Sequence, residues 1–207
     1  MIDSVTQTNY IIYSTRIIEN HPLALIGTEK GLYFCKLTKD NVGNYIDTNL
    51  LSLSDNISDA IWDILTYRNE KYAITADNYG IKIIDISPII DDTNWNESNA
   101  SIKDKIKKIQ YWNASQPVYC LFLSSNGVLF MGQDKNIIVA NASIENNSVS
   151  ISQMRQVCMT GSVYGIGKND YYLFVLEYTT NYFFSAYEYQ EVISSELYTN
   201  FSLAFQV

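Results

Sequence analysis

Apolar residues along this chain gather in short runs separated by polar or turn-forming residues, and four such places align without gaps. They are Leu25–Phe34, Ile74–Ile83, Phe130–Val139 and, as a weaker copy, Val175–Phe184. Each is an apolar run, a brief polar break and a second apolar run, the pattern of two strands joined by a tight hairpin. The alignment is anchored on Gly31, Gly80, Asn136 and Asn181. Glycine and asparagine enter the left-handed region at least cost, so positive φ is expected at these four turn positions.

The anchors recur about 50 residues apart, a spacing that fits propeller blades better than helical solenoids. Each hairpin has room for two flanking strands. The first repeat (residues 9–53) divides into strands at Asn9–Ile17, Leu23–Gly27, Gly31–Leu37 and Ile46–Leu53. The second (60–112) gives Ala60–Thr66, Lys71–Ala76, Gly80–Ile86 and Lys107–Trp112. The third (118–154) gives Val118–Ser124, Val128–Gly132, Asn136–Ala142 and Ser148–Met154. The fourth (163–205) gives Val163–Gly167, Tyr171–Tyr178, Tyr182–Tyr189 and Leu197–Phe205. Runs such as Ile81, Ile83, Ile84 and Ile86 are apolar on both faces, as strands sandwiched between neighbouring sheets should be. Helix is expected only as a turn or two near Ser98–Lys107. The expected fold is all-β and propeller-like, a single domain over residues 1–207 with about four blades of four antiparallel strands.

The second repeat carries a resemblance. Ile61-Trp62-Asp63-Ile64, followed by Tyr72-Ala73-Ile74-Thr75-Ala76-Asp77-Asn78-Tyr79-Gly80-Ile81-Lys82-Ile83-Ile84-Asp85-Ile86-Ser87-Pro88, resembles one unit of the LVIVD-repeat propellers, which are close in design to WD-repeat proteins. The resemblance implies a propeller fold and a binding or scaffolding role, commonly at surfaces or outside the cell, and brings no catalytic residues. Propellers of this kind usually have six to eight blades, whereas this chain has room for about four. It therefore forms either a small four-bladed ring or an open sector completed by another copy or partner.

Composition narrows the function. With 47% hydrophobic and 14% aromatic residues in 207, the chain can build a sizeable core. A net charge of −8 argues against nucleic acid, whose phosphates need clustered cations. The one dense basic run, Lys103, Lys105, Lys107 and Lys108, is interrupted by Asp104 and reads as a solvated face. No run approaches the ~18 apolar residues of a membrane span, and the start of the chain lacks a basic segment leading into an apolar one. No membrane insertion and no export signal are expected. Asn-x-Ser sequences at Asn56, Asn96, Asn99, Asn113, Asn141, Asn146 and Asn200 leave export open. Cys35, Cys120 and Cys158 each lie in an apolar stretch and are expected to be reduced and mostly buried.

Candidate chemistry is sparse. The single histidine, His21, sits before Pro22 in an expected turn, which disfavours zinc sites and Ser-His-Asp catalysis. Asp55, Asp59 and Asp63 recur at a spacing of four, but the repeats put Asp63 in a strand and Asp55 in a loop; with the pair Asp91 and Asp92 they read as solvated carboxylates, without the glycine and terminal Glu of a Ca²⁺ loop. Asp77 is expected to hydrogen-bond its own turn. Trp62, Trp95 and Trp112, with Tyr111 and Tyr67, would suit stacking on a sugar ring, although packing is the commoner use of such rings. No cofactor, metal or catalytic constellation is indicated.

The expected function is a non-catalytic interaction or structural module, a subunit of a larger assembly. Its partner is another protein or a second copy of the chain. The alternatives are a ligand-sensing or carbohydrate-binding propeller and, third, a hydrolase or lyase using channel carboxylates. The aromatic fourth repeat, with Tyr182, Phe183 and Phe184, is the expected contact surface, because Tyr and Phe favour interface cores.

Overall fold

The computed structural model describes residues 10–18, 21, 23–39, 41–43, 45–52, 59–67, 70–91, 106, 109–145, 148–193 and 197–206. Among these, sixteen strands form four antiparallel sheets, each a four-stranded meander in which chain neighbours are sheet neighbours. The first sheet joins β1 (Ile12–Ile18), β2 (Leu23–Thr28), β3 (Gly31–Lys39) and β4 (Tyr45–Ser52). The second joins β5 (Ile61–Tyr67), β6 (Tyr72–Asp77), β7 (Gly80–Asp85) and β8 (Ile109–Asn113). The third joins β9 (Cys120–Leu123), β10 (Val128–Gln133), β11 (Asn136–Glu145) and β12 (Ser148–Cys158). The fourth joins β13 (Ser162–Lys168), β14 (Tyr172–Tyr178), β15 (Tyr182–Ile193) and β16 (Leu197–Gln206).

Every strand expected from the apolar runs has its counterpart, and the described residues are all-β apart from one short helix. That helix, α1 (Ser87–Asp91), begins just past β7, where the Asp85 carboxylate accepts hydrogen bonds from Ser87 N at 3.0 Å and Ser87 Oγ at 2.6 Å. An Asx-type bond of this kind starts a turn, and Pro88 inside the first turn needs no donor of its own. Of the stretch expected to be helical, Ser98–Lys107, only Ile106 falls among the described residues.

Two compact units divide the chain, Met1–Asn113 and Ala114–Val207, each containing two sheets. In the first unit, Leu25, Leu32 and Phe34 of the first sheet share a buried cluster with Ile61, Ile64, Ala73 and Ile84 of the second. In the second unit, Val128, Phe130, Ile137 and Val139 of the third sheet meet Val163, Leu173 and Val175 of the fourth. Alternation along the strands places these residues on facing surfaces.

One contact type recurs in both units. A Cβ on Gly27 would lie 2.8 Å from the Ile61 side chain and carbonyl oxygen. A Cβ on Gly132 would meet Cys120 Sγ of its own sheet first, and would lie 2.7 Å from Val163 Cγ1 and 3.0 Å from the Val163 carbonyl oxygen. Gly27 and Gly132 occupy the same place in the aligned repeats, so the first strand of the next sheet packs against bare backbone in each unit.

The hairpins differ from expectation in their turns. Gly31 and Gly80 have φ of 126° and 143°, within the region that favours glycine. Asn136 and Asn181 are not among the residues with positive φ. In the third hairpin Lys135 takes that role at 57°. Asn136 is already in the strand, paired with Gln133, and its side chain donates to the Asp134 carbonyl at 3.0 Å. In the fourth hairpin Tyr178 pairs with Tyr182, which leaves three loop residues where the first three hairpins have two. The Asn181 carbonyl closes that longer loop by accepting from Thr179 N at 3.2 Å. The gap-free alignment thus hides one extra residue in the fourth hairpin.

Candidate functional site

Two places concentrate chemistry, one in each unit. In the first unit a pocket of about 250 Å³ opens at the hairpin end of the second sheet. Its centre is Lys82, which projects from a strand otherwise rich in isoleucine and whose side chain is only 7% exposed. The ammonium lies 2.5 Å from Asp77 Oδ2 and 3.1 Å from Asp59 Oδ2, and 5.9 Å from the centre of the Tyr111 ring. Register explains the grouping. Lys82 pairs with Tyr111 across β7 and β8, while Gly80 pairs with Asp77 on one side and Asn113 on the other. All of these positions therefore share one face of the sheet.

Burial alone would push the Lys82 ammonium down. The hydrogen bonds and charges of Asp77 and then Asp59 outweigh that, so its pKa lies above the usual lysine value. Asp77 has a second task. Its Oδ1 accepts from Tyr79 N at 2.7 Å and Gly80 N at 3.0 Å, closing the turn as expected. Thr28 does the equivalent work in the first hairpin, accepting from Lys30 N at 3.1 Å. A lysine held between two carboxylates is a poor nucleophile or base, since it keeps its proton.

In the second unit the outstanding feature is aromatic. Tyr182 and Phe184 of β15 are 63% and 46% exposed, although their cross-strand partners are Tyr178 and Leu176. Tyr172, Phe174, Leu176 and Tyr178 alternate along β14 with the buried Leu173, Val175 and Glu177. The β14–β15 pair thus buries one face, and on the other Tyr178, Tyr182 and Phe184 stand exposed beside half-buried Tyr172, Phe174 and Leu176, where polar residues are the rule. At its hairpin end the Tyr182 ring lies 4.8 Å from Tyr178 and 6.0 Å from Tyr164, and Tyr164 stacks on Tyr119 at 4.8 Å. Burial, then the Asp134 charge, holds the Tyr119 hydroxyl above its ordinary pKa.

Behind this face Glu177 is fully buried. Its Oε2 accepts from Thr160 N at 2.9 Å and Gly161 N at 3.0 Å; its Oε1 accepts from Ser185 Oγ at 2.9 Å and Tyr187 Oη at 3.1 Å. Burial, then the Glu177 charge, raises the Tyr187 pKa. Neither Lys82 nor Glu177 stood out in the sequence. The available signal was a lone charge inside an apolar strand, Ile81-Lys82-Ile83 and Leu176-Glu177-Tyr178.

The remaining candidates disperse. Phe183 is half-buried and lies on the opposite face from Tyr182 and Phe184. Trp112 and Tyr111 line the pocket, whereas Trp62 donates to Asn78 Oδ1 at 2.9 Å and packs on Tyr13, and Tyr67 is buried. His21 sits in a turn, donating from its backbone to the Ile18 carbonyl. Asp63 accepts from Ser14 Oγ and from Ile64 N. Asp55, Asp92, Trp95 and the lysine run at 103–108 lie outside the described residues, as do Asn56, Asn96, Asn99 and Asn146. Cys35, Cys120 and Cys158 are thiols outside any disulfide; the first two are buried, but Cys158, at the end of the edge strand β12, is exposed. Among the described residues no three His, Cys, Asp or Glu side chains converge on a metal-sized site, and no helix is long and apolar enough to cross a membrane. No protein-family model matches the chain, and no curated protein matches it either.

Proposed function

We propose that this chain is a non-catalytic interaction module, a subunit of a larger assembly that engages another protein through the aromatic face of β14 and β15. The observation that carries the proposal is the exposure of Tyr182 and Phe184 on a sheet whose other face is already buried. Aromatic side chains left in water at a sheet surface are typical of interface cores. Four consecutive meanders, with a glycine of the first sheet against the second and of the third against the fourth, support their assignment as propeller blades of the LVIVD-repeat type.

Charge favours a different protein over a second copy. Each copy carries −8, and carboxylates flank the aromatic face, with Asp134 near Tyr164 and Glu188 opposite Tyr172. Two such surfaces repel, while a partner bearing Arg or Lys gains both charge complementarity and cation–π contacts.

The proposal is tested by affinity capture with the wild-type chain and with Tyr182→Ser/Phe184→Ser, each at low and high salt. One basic-surfaced protein retained by the wild type, released by salt and absent from the variant is the expected result. Identical captures from both chains would overturn it. So would a self-dimer by light scattering that reverts to 23.6 kDa in the variant, which would make the second copy the partner.

A further inference from the structure

We infer that the pocket around Lys82 in the first unit binds a neutral sugar ring. This goes beyond the protein-docking role and rests on different residues. At about 250 Å³ the pocket falls below the roughly 300–1,000 Å³ of sites for drug-sized ligands, which suits a single ring. Its walls include Tyr79, Tyr111 and Trp112. Tyr79 and Tyr111 are 62% and 65% exposed, so their rings are open to a ligand.

Charge selects among ligand classes. The cation position beside Asp59 and Asp77, over the Tyr111 ring, is already filled by Lys82, so a cationic ligand meets a like charge. An anion meets two carboxylates. A neutral polyhydroxylated ring avoids both penalties. Its C–H face can stack on tyrosine, and its hydroxyls can donate to Asp59, whose side chain is 33% exposed at the pocket wall. Asn113, also lining the pocket, brings an amide that combines donor and acceptor groups. A few fixed polar groups set among aromatic walls make the usual arrangement for orienting a small ligand.

Saturation-transfer NMR on the full chain tests this, with D-glucose, D-galactose, D-mannose and N-acetylglucosamine as separate probes and arginine methyl ester and acetate as charged controls. At least one sugar should receive saturation from the protein and neither control should. Tyr111→Ala and Tyr79→Ala should each weaken the sugar by about tenfold, a change of about 1.4 kcal/mol. Asp59→Asn should weaken it less, and Tyr182→Ser/Phe184→Ser not at all, which separates this site from the docking face. Tyr79 lies in the turn, so its variant reports on the pocket even if the strand variant at Tyr111 fails to fold. Transfer to none of the four sugars, transfer unchanged in Tyr79→Ala, or transfer only to a charged control would overturn the inference.

Discussion

The two units pack their sheets in the same way and handle buried charge differently. In both, a glycine at one place in the repeat lets the next sheet's first strand touch backbone, Gly27 against Ile61 and Gly132 against Val163. In the first unit the buried carboxylate of Asp77 is met by a full positive charge on Lys82. In the second, Glu177 has its charge spread over two backbone N–H groups and two hydroxyls. Spacing between sheets is thus set by backbone, and the repeat preserves it. Compensation of a buried charge is a side-chain matter, and each unit solves it separately.

The largest effect should come from breaking the ion pairs. Lys82→Ala leaves two carboxylates without their cation and should cost about 3–5 kcal/mol in urea unfolding. The triple change Asp59→Asn/Asp77→Asn/Lys82→Met should cost less than Lys82→Ala, because it removes all three charges while the new amide oxygen at position 77 still accepts from the turn. A triple variant less stable than the single one would show that the pairs themselves, not the stranded charges, dominate.

Next comes overpacking at the shared glycine contact. Gly132→Val drives a side chain into Cys120 Sγ as well as Val163 and its carbonyl, and about 3 kcal/mol of destabilisation is expected. Gly27→Val should match it to within about 1 kcal/mol if the contact is the same device in both units. Glu177→Gln is gentler. It keeps the shape, its carbonyl can accept from Thr160 N and Gly161 N while its NH2 donates to the Ser185 and Tyr187 hydroxyls, and the loss of charge assistance should cost about 1–2 kcal/mol.

The smallest effect is on pH dependence. Lys82 and Tyr187 both have folded pKa values raised above their ordinary ones. Between the unfolded and folded values the native state holds the extra proton, so the stability they contribute is full below about pH 10 and is lost as pH rises through the folded values. Urea midpoints should therefore fall at alkaline pH. Tyr187→Phe should shrink that fall in the second unit and leave the contribution of Lys82 intact.

Strand positions were legible because Leu25, Ile74, Phe130 and Val175 begin apolar runs of strand length, each ended by a turn. Gly31 and Gly80 announced their backbone geometry, since glycine is the residue that the geometry favours. Asn136 and Asn181 misled for different reasons: Asn136 sits in a hairpin of the usual two-residue loop but uses its side chain to donate to the Asp134 carbonyl while Lys135 takes the positive φ, whereas Asn181 lies in a loop one residue longer. Burial of Cys158 was misjudged as well. An apolar stretch signals a strand, but only the sheet order reveals that β12 is an edge. The pocket was half visible. Tyr111 and Trp112 stood out as stacking candidates, whereas Lys82 and Asp59 lie 23 residues apart and meet only because the fold brings the approach to β5 beside β7.

The claim that the aromatic face of the fourth sheet is a docking surface is tested most directly by photo-crosslinking from that face. A benzophenone side chain placed at Phe184 of the full chain, with Val42 in the first unit as an exposed control position, is irradiated in extract from the protein's source. Docking predicts one crosslinked protein from position 184, joined through a peptide containing Arg or Lys, competed by unlabelled wild type and not by Tyr182→Ser. The same products from both positions, or none from 184, would contradict it.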